Sequence, residues 1–414
     1  MVKAQTQPVQ SGLSLTNNTG PSDAGTREIG WHFLQLPGPT NIPARIRNAM
    51  DRPAIDQRGK QFANLALKLF GGMRKVLKTE SEVFIYPSSG TGAAESALVN
   101  TLSAGDKVLV FDSGWFSFLW IRMVRNLGLE PVVMETDWRR APDPAAIEAR
   151  LAEDKNHEIK AVFVVHNETS TGVAARIPEI RQAIDNANHP ALYIVDTISS
   201  LASMDFRMDE WGVDVAVCGS QKGLMLPPGL SFNGVSEKAR KASETANLPK
   251  CYWDWTWQRE SEHTGYFPYT PAINLFYGLE ESLRMLLKEE GLDNVFARHA
   301  RLGEATRRAV SAWGLETVCQ EPREYSDSIT AVMLPDGQNA DALREVILKR
   351  FNMALGGGLA RLAGKVFRIG HMGDMNDLMM TATLTGVEMG MTAAKVPCQK
   401  HGVAAAEEYL AGLT

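Results

Sequence analysis

The stretch VFIYPSSGTGAAESALVNTLSAGDKVLVF at 83–111 decides how the chain folds. It opens on the apolar run Val83–Pro87 and breaks at a Ser/Gly turn. It then passes through the small-residue helical pattern of Gly92–Leu102 into a second apolar run, Lys107–Phe111. Strand, glycine turn, helix, strand is the repeating unit of a parallel sheet, because parallel neighbours need a crossover between them. The alternation continues with strands at Val132–Glu135, Ala161–His166, Leu192–Asp196 and Val213–Gly219, and helices at Phe116–Leu127 and Ile177–Ala187. Several of these strands are apolar on both faces, which predicts a sheet covered by helices on both sides. Past about Tyr277 the pattern changes. Helical periodicity runs from Gly278 to Trp313, followed by a strand at Ser328–Leu334, a helix at Ala340–Arg350, a strand at Val366–Ile369 and a last helix from Asp374. That reads as a second, smaller α+β domain.

A chain of 414 residues is long enough for two such domains. With 44% hydrophobic and 22% charged residues, it is neither a disordered chain, a collagen-like chain nor a coiled-coil rod. A net charge of −5 argues against non-specific nucleic-acid binding. Cys218, Cys251, Cys319 and Cys398 are scattered, with no CxxC and no zinc-like Cys/His spacing. No metal site is therefore expected, and free thiols in a reducing cytoplasm are. No apolar stretch reaches the roughly 18 residues of a membrane helix. Residues 1–30 are rich in Ser, Thr, Asn, Gln and Gly, without the apolar segment of a secretory signal, and are expected to be a disordered tail.

Three segments carry candidate chemistry. Ser88-Ser89-Gly90-Thr91-Gly92-Ala93 lies between a strand and a helix, where unpaired N–H groups can receive an anion. A phosphate on Thr91, Gly92 and Ala93 is one reading and a plain turn is another. A third is a dinucleotide fingerprint with Asp112 ending the next strand, but Glu95 stands where that motif needs a third glycine. Ile194-Val195-Asp196 puts a carboxylate at a strand end, as a ligand contact or as a cap. Gly219-Ser220-Gln221-Lys222-Gly223 puts a lysine after the next apolar strand, where a desolvated amine could form Schiff bases. Together, phosphate cradle, carboxylate and lysine are the set that pyridoxal phosphate requires.

The order and wording of these segments resemble the class V, fold-type I aminotransferases, and most closely the serine–glyoxylate / alanine–glyoxylate family. The likeness rests on LPGPTNIP at 36–43, YPSSGTGAAESALVNTLSAGDKVLV at 86–110 and VVHNETSTGV at 164–173. It continues in MDEWGVDVAVCGSQKGLMLPPG at 208–229, TGYFPYTP at 264–271 and GKVFRIGHMG at 364–373. It implies an α/β pyridoxal-phosphate domain with a mainly parallel seven-stranded sheet over residues 31–276 and a small C-terminal α+β domain over 277–414. Lys222 then matches the Schiff-base lysine and Asp196 the partner of the ring nitrogen, both catalytic. Thr91, Gly92, Ala93 and Gln221 match the phosphate region. Thr169 matches the contact to the phenolic oxygen, while Phe116 and Ile198 match the two faces of the ring. Arg368 matches the substrate-carboxylate clamp, with Asn41 as a second substrate contact. Thr270 matches a phosphate ligand given by a neighbouring subunit, which implies a homodimer with shared sites. The activity implied is ping-pong transfer of an amino group from serine, alanine or aspartate to glyoxylate, giving glycine.

The chain departs from that pattern at Phe267, where some relatives have tyrosine, at Thr197-Ile198, and in the run Ser113–Phe118, whose Trp115 and Phe118 are bulkier than usual. These positions bear on donor choice. Rival readings are a desulfurase or other lyase of the same fold, a nicotinamide oxidoreductase and a cofactor-free scaffold. Phe116 and Gln221 stand where desulfurases carry histidines. Gly356-Gly357-Gly358 is expected to be a turn, Tyr252–Trp257 a packing or interface segment, His166 a satisfied structural histidine and Cys218 inert.

Overall fold

The computed structural model describes residues 30–413, so the expected tail lies, but for Gly30, outside the described residues. The centre is a seven-stranded sheet in the order Glu82–Tyr86, Ser231–Val235, Val215–Gly219, Leu192–Asp196, Ile159–Val165, Lys107–Asp112, Glu130–Glu135. Only Ser231–Val235 runs against its neighbours. The mainly parallel sheet is therefore as expected. Alternate residues feed opposite cores, as the pleat requires. Ile85 and Val195 face one apolar layer, and Phe84 and Ile194 the other.

Ser231–Val235 was not legible as a strand. Its polar residues are satisfied inside the sheet: Asn233 Nδ2 donates to Ala216 O at 3.1 Å, and Ser231 Oγ meets Ser88 Oγ at 2.5 Å. Helices Ala44–Met50, Lys60–Leu77 and Pro144–Glu153 were also unread. Lys60–Leu77 buries Phe62, Leu69, Phe70 and Met73 on a single stripe, the usual way a surface helix joins a core.

A second sheet runs Phe33–Gln35, Met353–Gly357, Val366–Gly370, Ile329–Met333, Glu316–Thr317. Its core includes Leu302, Trp313, Leu343, Phe367 and Leu384. Two details differ from a single cut at 276/277. Phe33–Gln35 pairs in parallel with Met353–Gly357, so the first strand among the described residues belongs to the second sheet. Helix Ile273–Arg284 straddles the expected boundary and packs Phe276, Leu279 and Leu283 into the large core. The helical stretch after it is interrupted by a π-helical turn at Met285–Glu290 and by Gly291 at φ +83° before Leu292–Ala312. Gly356 and Gly357 belong to a strand rather than to a turn. Among the described residues, no helix is long and apolar enough to cross a membrane.

Phe276 stacks on Phe62 with ring centroids 5.4 Å apart and is fully buried. Phe276→Ala is expected to lower the unfolding free energy by about 3–5 kcal/mol. Chemical denaturation checks this, since a linker position would tolerate the change.

Candidate active site

The parallel strands deliver their carboxyl ends to one edge, which is where open α/β sheets bind ligands. A cavity of about 270 Å³ lies there, lined among others by Thr91, Phe116, Thr169, Asp196, Ile198 and Lys222. Lys222 sits in a loop closed on itself: Ser220 Oγ donates to Pro227 O at 2.7 Å, and Leu226 N donates to Ser220 O at 3.1 Å. The Lys222 side chain is buried and its Nζ donates to Pro37 O. Gly38 leaves the space for it, because a Cβ there would overlap the lysine side chain. Burial pushes the amine down to about 8, with the charge of Arg368 adding to the shift and that of Asp196 opposing it. A neutral amine near neutral pH is what Schiff-base chemistry needs.

Asp196 ends its strand and is 5% exposed. Its Oδ1 accepts from Ile198 N at 2.7 Å and its Oδ2 from the Trp120 indole at 2.8 Å. Burial pushes it up to about 7, against those two hydrogen bonds. Trp120 was missed in the sequence, although Phe116 and Trp120 lie four apart and so share a helical face. Ile198 packs so close to Gly90 that a Cβ on Gly90 would overlap it.

The cradle is shifted from the expected one. Helix Gly90–Thr101 begins without a side-chain cap, so its first N–H groups are left for a ligand. Ser89, Gly90 and Thr91 line the cavity. Gly92 and Ala93 do not, and their N–H groups bond to Ser89 O at 2.9 and 3.4 Å. Gln221 also lines the cavity, and its buried Oε1 has no hydrogen-bond partner among the described residues. A helix N-terminus with free N–H groups fits a phosphate-bearing ligand, and Gln221 can add to it through its NH2, since Oε1 is an acceptor like the phosphate oxygens.

Arg368 stands behind the cavity on strand Val366–Gly370. Its Nη1 donates to Thr169 O at 2.8 Å and its Nε to Gly357 O at 2.7 Å. Two expected residues stand apart from the cavity. Asn41 Nδ2 donates one hydrogen bond to Leu34 O at 3.1 Å. Thr270 is exposed, 3.4 Å from Gln57 Nε2. Of the remaining segments, Trp255 is a packing residue, stacked on Phe84 and donating to Tyr86 Oη at 2.8 Å. His166 is buried beside Phe206 and Trp211 but is not fully satisfied: its Nδ1 has no hydrogen-bond partner among the described residues, and burial lowers it to about 4. Cys218 is buried and pushed up to about 12, as an inert thiol should be.

A desolvated lysine facing a buried carboxylate at a sheet edge, with an anion cradle on one side and an arginine on the other, defines an enzyme that handles amines and carboxylates. The chain belongs to the class-V aminotransferases: the sequence model of that family, "Aminotransferase class-V", matches residues 44–365. It is 51% identical over 394 residues to the serine–glyoxylate aminotransferase of Methylorubrum extorquens, covering 94% of this chain and 98% of that one. It is 48% identical over 380 residues to the L-aspartate–glyoxylate aminotransferase of Paracoccus denitrificans, covering 90% and 95%. Among solved structures, it matches pyridoxamine–pyruvate aminotransferase from Mesorhizobium loti at TM-score 0.87 and 27% identity, covering 92% of this chain and 97% of that one. The fold is fold type I, and the chain is a transferase of amino groups.

Trapping Lys222 with a small aldehyde and borohydride should show a pH midpoint at about 8, not at the ordinary lysine value of 10.5. Peptide mapping checks this. A Lys222 peptide labelled only above pH 10 would contradict the assignment of a neutral, activated amine.

Proposed function

We propose that the protein is a pyridoxal-phosphate-dependent aminotransferase that moves the amino group of a small L-amino acid, serine first, to glyoxylate, giving glycine. The observation that carries the reading is the buried Lys222 amine, lowered to about 8 opposite Asp196. Glyoxylate is supported by the printed activities of the relatives at 51% and 48% identity. When bound, pyridoxal phosphate supplies an aldehyde that takes up the amino group and a ring that accepts the charge left on the substrate.

The residues present divide the remaining work. Ser89, Gly90 and Thr91 would hold the phosphate, with Gln221 beside them, its NH2 rather than its Oε1 turned to the phosphate oxygens. Phe116 and Ile198 would cover the two faces of the ring, and Thr169 would bond its phenolic oxygen. Asp196, a buried carboxylate with two hydrogen bonds already fixed, would keep a proton on the ring nitrogen. Lys222 Nζ takes the proton from the substrate α-carbon and later returns one, as a general base and then an acid. Arg368 binds the substrate carboxylate, since its present partners are neutral carbonyls that leave its charge available. The donor leaves as a keto acid and glyoxylate leaves as glycine, so no outside oxidant is needed.

Thr270 fits a homodimer in which each copy completes the other's phosphate site, as its exposed position allows. Four free cysteines suit a reducing compartment, and the cytoplasm is the proposed location.

The first test mixes the loaded protein with L-serine, L-alanine or L-aspartate alone and follows the visible spectrum. Serine is expected to bleach the cofactor band fastest, with glyoxylate restoring it. Lys222→Ala is expected to lose at least about 1000-fold in rate, the scale on which removal of a nucleophile or base acts. Bleaching by aspartate alone would reassign the donor, and a band unmoved by all three would sink the transaminase reading.

A further inference from the structure

Helix Trp115–Asn126 forms the wall that carries Phe116 and Trp120, yet it has no cap of its own. Gly114 is its N-cap residue and offers no side chain. The N–H groups of its first turn are instead taken by the loop after strand Ile159–Val165, more than fifty residues on in the chain. Glu168 Oε2 accepts from Phe116 N at 3.1 Å and Ser117 N at 2.9 Å. Glu168 Oε1 accepts from Ser170 N at 3.0 Å and Ser170 Oγ at 2.6 Å, and lies 3.3 Å from Phe116 N. Ser170 Oγ in turn accepts from Trp115 N at 2.9 Å. Glu168 is 2% exposed. Gly114 makes the approach possible, because a Cβ there would overlap the Glu168 side chain.

We propose that Glu168 is a positioning residue for the cofactor wall: its buried carboxylate fixes the start of helix Trp115–Asn126 and so sets where Phe116 and Trp120 stand. The proposal rests on the pyridoxal-phosphate reading of the site. Both oxygens of Glu168 face only donors, so an acceptor-only group is required. A glutamine would fit the space but turn an NH2 against an N–H or O–H donor in either orientation. The consequences reach three functions at once. Phe116 is the ring face. Trp120 donates to Asp196, the partner of the ring nitrogen. The same loop carries Thr169, whose carbonyl receives Arg368. A cap supplied from outside the helix thus ties ring stacking, ring protonation and the carboxylate clamp to one charge.

The test compares full-length wild type with Glu168→Gln, Glu168→Asp and Ser170→Ala. It reads the Kd of pyridoxal phosphate for the apoprotein, the visible circular dichroism per bound cofactor, and kcat. Glu168→Gln is expected to raise the Kd about 10- to 100-fold, the scale of a lost charge-assisted hydrogen bond left unsatisfied, and to change the dichroism. Glu168→Asp, shorter but still acceptor-only, is expected to lose less than the isosteric glutamine. Ser170→Ala, the milder change, is expected to shift the Kd in the same direction by about 3- to 10-fold, which keeps the proposal testable if the glutamine variant does not fold. A glutamine variant that melts lower but keeps wild-type Kd and dichroism would overturn the proposal, leaving Glu168 a stability residue only. So would an aspartate variant worse than glutamine, which would make packing the cause. A wild-type protein that binds no pyridoxal phosphate would overturn the reading of the site and this proposal with it, whereas variants that match a cofactor-binding wild type would overturn the proposal alone.

Discussion

Burying an amine so that it gives up its proton easily is the constraint that organises this molecule. Desolvation disfavours the ammonium, so Lys222 is held where its proton is loosely bound. The lysine needs a closed loop, and the crossed hydrogen bonds of Ser220 with Pro227 and Leu230 provide one. It also needs a wall without side chains, which Gly38 supplies. Asp196 is buried by the same cavity and moves in the opposite sense, up to about 7. A shared environment that lowers a base and raises an acid brings both near neutral pH, where proton traffic between a substrate and a ring is fastest.

The second domain contributes to that arrangement by bringing Arg368, the proposed carboxylate clamp. Arg368 is anchored by one carbonyl from each domain, Gly357 O and Thr169 O. Gly356 and Gly357 serve this contact from within their strand. The backbone of their strand must lie against Arg368, and a Cβ on Gly356 would press on the arginine and on Pro37 at 3.0 Å. Arg361, a few residues earlier, pairs with Asp112 of the large sheet and lies over the Trp138 ring, a second tie across the same cleft. The N-terminal strand Phe33–Gln35 adds a covalent one, since it pairs in the second sheet and then runs past Lys222 into the first domain.

Much of this was legible in the sequence. The apolar runs gave the parallel strands to within a residue or two, because central parallel strands covered on both faces read as near-continuous apolar runs. Lys222, Asp196, Thr91, Phe116, Thr169, Ile198 and Gln221 all meet in one cavity because each follows a strand or opens a helix at the same sheet edge. What was not legible depended on partners distant in the chain. Ser231–Val235 is polar at alternate positions and becomes a strand only when Ala216 and Ser88 satisfy it. The cradle was misplaced towards Gly92 and Ala93 because the sequence does not show which N–H groups the helix uses for itself. Asn41 was assigned to substrate by its neighbourhood, and it stands apart from the cavity, with one amide hydrogen bond to Leu34 O. Glu168 looked like one charge among many, and only the fold puts it under a helix that lacks a cap.

The division between residues that make the chemistry and residues that choose the substrate follows from these contacts. The groups assigned to the cofactor are locked by hydrogen bonds or close packing. Asp196 is held by Ile198 and Trp120, Ile198 by Gly90, and Lys222 by its loop. Trp115 and Phe118 are different. They stack on each other at 5.5 Å on the outer side of the helix that Glu168 caps, and Phe118 is exposed. Neither lines the cavity, so changing them leaves the buried charges and the packed residues around it in place. A family that keeps one reaction while exchanging serine for aspartate would vary residues at the pocket's rim rather than the locked ones, because pocket shape discriminates donors by a few kcal/mol at most and leaves the buried charges where they are.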